Sequence, residues 1–173
     1  MLNPLDAPDT VSAAAGTLED LLDDGNPFVS SIELSPVIPV AGISPGHDWL
    51  KGLAQAVYDA GASGHQVGTS VVPFESPRAW RDILRREVTD GFMQPANRWP
   101  DTSLRNPVEI RRAGELADGI ADLIEAHLGP VRTSGDVDGP RIGMGMGMGT
   151  IWSRKLLLVT SDWATILFLG IDD

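Results

Sequence analysis

The chain has 173 residues, 24 acidic and 13 basic side chains, a net charge of −11 and no cysteine. This length suits one ordinary domain with a hydrophobic core, so we predict a single globular domain over residues 1–173, with residues 1–8 as a flexible N-terminus. The missing cysteines exclude disulfides and thiolate chemistry, and the acidic balance argues against a nucleic-acid partner, which needs a concentrated basic surface.

Neither a secretory signal nor a membrane span is predicted. Acidic residues interrupt the first 24 positions, where a signal peptide needs an apolar run. The longest apolar stretch, 156–171, is broken by polar residues at 160–162 and falls short of the roughly 20 residues of a membrane helix. We therefore expect no membrane partner and a cytoplasmic location, and the preference for Arg over Lys indicates a GC-rich bacterial or phage genome.

The first half of the chain alternates helical and strand patterns. Asp9 or Thr10 can cap a helix that ends near residues 25–27, and alternating apolar side chains predict a strand over 28–34. The pair Ser44-Pro45 predicts the start of a second helix that runs to residue 61, and a second strand is expected over 65–74. Together these elements predict a strand–helix–strand unit.

Two further helices are predicted in the middle of the chain. Ser76-Pro77 begins one that ends near residue 91, and Asn106-Pro107 begins a longer one that Gly129 ends. The segment 93–106 between them has no periodicity, which indicates a loop.

The last third predicts strands. After a loop over 129–140, strands are expected at 141–152, 155–159 and 163–171, and the last is apolar on both faces, as a buried central strand would be. The element order indicates an α+β fold. We predict one two-layer domain with a mixed β-sheet, about four helices mainly on one face, and a C-terminal β-hairpin.

The N-terminal third carries most of the negative charge. Residues 1–50 contain eight acids and no Lys or Arg. Four of these acids lie close together at the end of the first predicted helix, and we expect them to bind a basic protein partner: Glu19, Asp20, Asp23 and Asp24. The favoured function is therefore a non-enzymatic interaction protein of the inhibitor or immunity type.

An alternative function follows from the repeat of Gly and Met over residues 143–149. Its spacing fits neither a dinucleotide fingerprint nor a phosphate-binding loop. In a strand, however, it would place Met side chains on one face and leave bare backbone for a ligand on the other. This predicts a small-molecule-binding domain or small enzyme whose pocket lies beside the strand and is lined by His47, Asp48, Arg98, Trp99 and Met146.

No motif predicts catalysis, a metal or a cofactor. There is no Gly-x-Ser-x-Gly, and the three histidines lack the spacing of metal ligands, so we name no catalytic residue, metal ligand or cofactor and favour a protein that is not an enzyme. A third alternative is a phage or bacterial assembly protein. In that case the acidic N-terminal third would pair with the Arg-rich stretch 78–112 in a homo-oligomer.

Overall fold

A computed structural model describes residues 2–24, 29–41, 48–61, 70–92, 106–139 and 150–172. The helices in these ranges are α1 (Ala7–Asp23), α2 (Trp49–Gly61), α3 (Ala79–Arg86) and α4 (Pro107–Leu128); a 3-10 turn (Pro4–Asp6) precedes α1 and a π-helical turn (Glu87–Phe92) follows α3. The strands are β1 (Val29–Leu34), β2 (Ile38–Pro39), β3 (Ser70–Pro73), β4 (Thr133–Asp138), β5 (Thr150–Val159) and β6 (Trp163–Asp172). The predicted α+β class, with four helices and a C-terminal hairpin, is confirmed.

The predicted start and end signals of the longest helix are confirmed in α4. The side chain of Asn106 accepts hydrogen bonds from the backbone N–H groups of Val108 and Glu109, which have no partner within the helix. Gly129 follows the last turn with φ of 83°, a conformation that favours glycine.

The N-terminal residues contact the far end of α4. The backbone N–H of Leu2 donates to the carbonyl of Ala126 at 3.3 Å, and the carbonyl of Asn3 lies 2.7 Å from Nδ1 of His127. The assignment of the whole chain to one domain, with a flexible start, stays a prediction.

The described strands form one sheet in the order β1-β6-β5-β4-β3, and β2 also pairs with β6. Each described pairing is antiparallel, so the sheet is not mixed as predicted. The expected order of strand, helix and strand is present as β1, α2 and β3, with the short β2 between β1 and α2, but β1 and β3 lie at opposite edges of the sheet. The hairpin of β5 and β6 occupies the interior positions between them.

Two strand predictions need correction. The predicted loop over 129–140 contains β4, whose sequence TSGDVD is poor in strand-forming residues. Pairing with β5 on one side and β3 on the other determines its conformation. The strands expected at 141–152 and 155–159 are joined within β5, which runs through Ser153 and Arg154; residues 141–149 lie outside the described residues.

Helices cover both faces of the sheet, although mainly one. One core contains residues of α1, α3 and α4 together with Leu156, Leu158 and Leu167 of the hairpin. The second core lies on the opposite face, where α2 packs against Leu157 and Ile166. The predicted two layers therefore become three, because the hairpin is apolar on both faces and each face must be covered.

Arginines of α3 bind carboxylates of α4. Arg81 contacts Asp122 and Glu125 at 2.8 Å each, and Arg85 pairs with Asp118. These arginines belong to the stretch that was expected to meet the acidic N-terminal third. Their use inside the chain removes part of the support for the homo-oligomer, which stays a prediction.

Three glycines give opposite expectations for stability. A Cβ added at Gly16 or Gly119 would meet nothing within 4 Å, so alanine at either helical position is expected to raise the free energy of unfolding by about 0.5–1 kcal/mol. A Cβ at Gly135 would lie 2.7 Å from the carbonyl oxygen of Val72. Gly135→Ala should therefore displace β3 and cost about 1–3 kcal/mol. Urea denaturation measures all three, and a neutral Gly135→Ala would contradict the close approach.

Candidate functional site

The acidic residues predicted to bind a partner lie where α1 packs beside the edge strand β1. An edge strand carries backbone N–H groups on alternate residues that point away from the sheet. Two carboxylates of α1 accept hydrogen bonds from these groups: Asp23 from the N–H of Ser30 at 2.8 Å, and Glu19 from the N–H of Ile32 at 2.7 Å. These two acids therefore provide hydrogen-bond acceptors for backbone N–H groups at the edge of the sheet.

The other two acids of the predicted surface are exposed. Asp20 and Asp24 lie in a shallow groove that Leu21 and Arg112 also line. The structure thus separates the four acids into a pair that binds β1 and a pair that faces solvent. The pair that faces solvent can still meet a partner.

The carboxyl group of Glu19 is half-buried, and this burial raises its pKa above the ordinary value of 4.5. The hydrogen bond from Ile32 acts in the opposite direction, and the negative charges of Asp23, Glu33 and Asp20 raise the pKa further. The folded protein therefore binds this proton more tightly than the unfolded chain does.

Two substitutions of Glu19 separate its hydrogen bond from its charge. Glu19→Ala leaves the N–H of Ile32 without its acceptor and should cost about 1–3 kcal/mol. Glu19→Gln keeps an acceptor and removes the charge, so its stability at pH 7 should equal or exceed that of the wild type. Because the pKa is raised, stability of the wild type falls as pH rises through the window just above 4.5, and Gln removes this contribution. Urea denaturation from pH 4 to 7 tests both; equal losses in the two variants would contradict this role.

The predicted pocket residues are mostly outside the described part of the chain, which excludes His47, Arg98, Trp99 and Met146. Asp48 is described: it is exposed, and its carbonyl accepts from the N–H of Gly52 at 2.9 Å in the first turn of α2. It lines a groove between the start of α2 and β3. The structure does not bring it to the cavity described next.

A cavity of about 150 Å³ lies on the face of the sheet that α2 covers, beside the last turn of that helix. We call it the Lys155 cavity. Its walls are partly polar and partly apolar, and they come from α2, β5, β6 and the end of β1 with the residues that follow it. They include Glu33, Ser35, Tyr58, Lys155, Ile166 and Phe168.

Strand register places three of these residues in one row across the sheet. Phe168 of β6 pairs with Glu33 of β1 on one side and with Lys155 of β5 on the other. Directly opposed residues project from the same face, and neighbouring strands lie about 4.8 Å apart. The acid and the base therefore stand about 10 Å apart at their backbones, with the backbone of Phe168 between them.

The next row of the sheet gives the ring of Phe168 its position. A Cβ at Gly170 would lie 2.5 Å from Cε1 of Phe168, so the ring occupies space that only glycine leaves open. Ser153 opposes Gly170 and its hydroxyl oxygen accepts from Nζ of Lys155 at 3.3 Å. Glycine at 170 therefore shapes one wall of the Lys155 cavity.

Burial shifts the pKa values of two hydrogen-bond donors that line the cavity, Lys155 and Tyr58. It lowers the pKa of Lys155, although the negative charge of Asp138 acts against this. It also raises the pKa of Tyr58 to about 12, with a contribution from Asp138 in the same direction. The phenol therefore stays neutral at physiological pH and can donate a hydrogen bond. No ion pair of Lys155 is found among the described residues.

The chain was compared with protein family models, with curated proteins and with solved structures, and none of the three comparisons finds a match. Within the described ranges, no three His, Asp or Glu side chains come together as metal ligands would. No helix in the same ranges is long and apolar enough to cross a membrane. Function therefore has to be inferred from the geometry of the site.

Sequence reasoning missed the residues of the Lys155 cavity, although a signal was present. Lys155 is one of two lysines in the chain and directly precedes the apolar run Leu156 to Val159. A charge at that position of a buried strand is unusual, because lysine is rarely buried without a reason. Its convergence with Tyr58 and Glu33 depends on strand order, which the sequence does not show.

Proposed function

We propose that the protein binds a small molecule in the Lys155 cavity. The observation that carries this proposal is the convergence of a half-buried lysine, a buried tyrosine and a glutamate on a cavity with apolar walls. Ligand sites typically combine an apolar lining with a few placed polar groups whose pKa values are shifted. The cavity also borders β5, which begins at Thr150 directly after the Gly and Met repeat.

The size of the cavity limits the ligand. Pockets for drug-sized molecules have volumes of roughly 300–1,000 Å³, whereas the Lys155 cavity has about 150 Å³. An engineered cavity of about this volume binds benzene, so ligands with about six to nine non-hydrogen atoms are suitable. We propose binding without turnover, because the sequence carries no catalytic motif. We also propose a reducing compartment such as the bacterial cytoplasm, because the chain has no cysteine.

Gly170→Ala tests this proposal. The added methyl group should push the ring of Phe168 out of position and change the shape of the cavity, so we expect affinity for any ligand to fall at least about tenfold. Ligand-detected NMR with mixtures of small metabolites identifies binders of the wild type, and titration measures the loss. Gly119→Ala is the matched control and should bind as the wild type does. The proposal fails if nothing binds, or if Gly170→Ala binds as tightly as the control.

A second candidate function is the binding of a basic protein by the acidic surface of α1, as an inhibitor or immunity protein would bind. It is favoured by the exposure of Asp20 and Asp24 beside a groove. Charges that face solvent mainly steer association, so such binding should weaken with salt.

The two candidates are separated by variants of α1. Asp20→Asn with Asp24→Asn should abolish capture of a basic partner, whereas Glu19→Gln should leave capture intact, because Glu19 binds β1. Pull-down at low and high salt measures this. A partner that the double variant retains would exclude the acidic surface as its binding site.

A further inference from the structure

We infer that the ligand of the Lys155 cavity is a small monocarboxylate: its carboxylate binds the ammonium of Lys155, and its short apolar chain fills the rest of the cavity. This inference depends on the proposed function and adds the chemical class of the ligand to it. It follows from a half-buried lysine that has no acidic partner within the described residues and lies beside an apolar core.

The ammonium of Lys155 lacks an anionic partner among the described residues. Its hydrogen bond there goes to the neutral hydroxyl of Ser153 at 3.3 Å, and the described ion pairs all involve arginines. Lysine is rarely buried without a partner, because a cation that loses water needs an anion or a hydrogen-bond acceptor in its place. An ammonium has three N–H donors, so this one can bind a carboxylate as well as Ser153.

The sheet places apolar side chains on one side of Lys155 only. Alternate residues of a strand share a face, so Ser153 and Leu157 flank Lys155 on the face that α2 covers. Leu157 is buried and opposes Ile166, which lines the cavity, whereas Ser153 is polar and half-buried. A ligand with its charged end at Lys155 therefore extends its apolar end toward Ile166. This arrangement suits a carboxylate on a short carbon chain.

The other residues of the cavity favour a single negative charge. Lys155 is the one basic residue among the described residues that line it, so a second negative charge would have no cation to meet. Glu33 and Tyr58 also line the cavity, but each already has an interaction within the chain, and neither is assigned to the ligand. Glu33 is exposed, so solvent screens its repulsion of a carboxylate at Lys155. Dicarboxylates and phosphate are therefore expected to bind more weakly than a monocarboxylate.

Pairs of a carboxylate and its amide test the charge of the ligand. The pairs are butyrate with butyramide, isovalerate with isovaleramide, and benzoate with benzamide; the two members of each pair have nearly the same shape and a size that the cavity admits. In at least one pair, the carboxylate should bind the wild type at least about tenfold more tightly than the amide, as measured by NMR titration at pH 7. The amine of the same chain should bind more weakly still, and an equal concentration of inorganic phosphate should not displace the carboxylate.

Lys155→Met provides the matched variant. It removes the ammonium and keeps an unbranched side chain, so the preference for the carboxylate over its amide should fall from at least about tenfold to about twofold or less. A general loss of folding would weaken both ligands of a pair equally and leave this ratio unchanged. Lys51→Met, at an exposed position of α2, should keep the full preference.

The outcomes separate this inference from the proposed function. If an amide or an amine binds as tightly as its carboxylate, or if phosphate displaces the carboxylate, the monocarboxylate is wrong while the Lys155 cavity remains a binding site. A preference that Lys155→Met retains would also overturn the inference, because the carboxylate would then bind elsewhere. If no small molecule binds the wild type, the proposed function fails and the inference fails with it.

Discussion

Replacing Arg154 with methionine is expected to lower the free energy of unfolding by about 3 kcal/mol. The guanidinium of Arg154 forms two hydrogen bonds to the carboxylate of Asp136, at 2.8 and 2.7 Å, and a third to Glu87 at 2.6 Å. The side chain of Glu87 is 8% exposed. Methionine removes the cation that this buried carboxylate faces, and loss of one partner costs more than the pair contributes.

The exposed ion pair of Arg85 and Asp118 provides the control for Arg154. Both side chains are 46% exposed, so Arg85→Met should cost no more than about 1 kcal/mol. Urea denaturation compares the two variants. Equal losses would show that burial does not strengthen the contribution of Arg154. Glu87 begins the π-helical turn, so its hydrogen bond with Arg154 joins this turn to β5.

Replacing Lys155 with methionine should separate stability from binding. Burial lowers the pKa of Lys155, so the charged lysine is disfavoured in the folded state, and we expect the variant to be at least as stable as the wild type at pH 7. Its affinity for a small molecule that binds in the Lys155 cavity should fall at least about thirtyfold, because a buried charged hydrogen bond contributes about 2 kcal/mol or more. Residues that serve binding commonly reduce stability in this way.

The pH dependence gives a second readout for Lys155. The unfolded chain binds this proton up to its ordinary pKa of 10.5, whereas the folded protein releases it at lower pH. Stability of the wild type should therefore rise through the window just below 10.5, and the methionine variant should lack this contribution. Lys51→Met, at an exposed position of α2, is the control and should keep the wild-type profile. A destabilised Lys155→Met with unchanged affinity would contradict the assigned role.

Helix capping and two-sided hydrophobicity could be predicted from the sequence. The Asn106-Pro107 start of α4 and the buried character of β6 follow from local residue patterns, and both are confirmed. In contrast, β4 was missed because Gly135 and Asp136 disfavour strands, and only its two neighbours determine its conformation. The antiparallel order of the sheet was also missed, because strands that pair can lie far apart in the chain.

The candidate site was less predictable than the fold. Charge patterning identified the acids of α1, but it could not show that Glu19 and Asp23 turn toward the edge of the sheet. Nor could it show that Glu33 and Lys155, which are 122 positions apart (155 − 33), share one row of the sheet. Such convergence depends on strand order, whereas composition reports only the residues that are present.

Chemical-shift mapping shows directly whether a small molecule binds in the Lys155 cavity. Backbone and side-chain spectra of the wild type would be recorded during titration with each small metabolite that ligand-detected NMR identifies as a binder. If the proposal is right, the largest changes occur at Tyr58, Ile166 and Phe168, with none at Gly119. Changes that cluster at Asp20 and Asp24 instead, or no changes with any small molecule, would contradict binding in the Lys155 cavity.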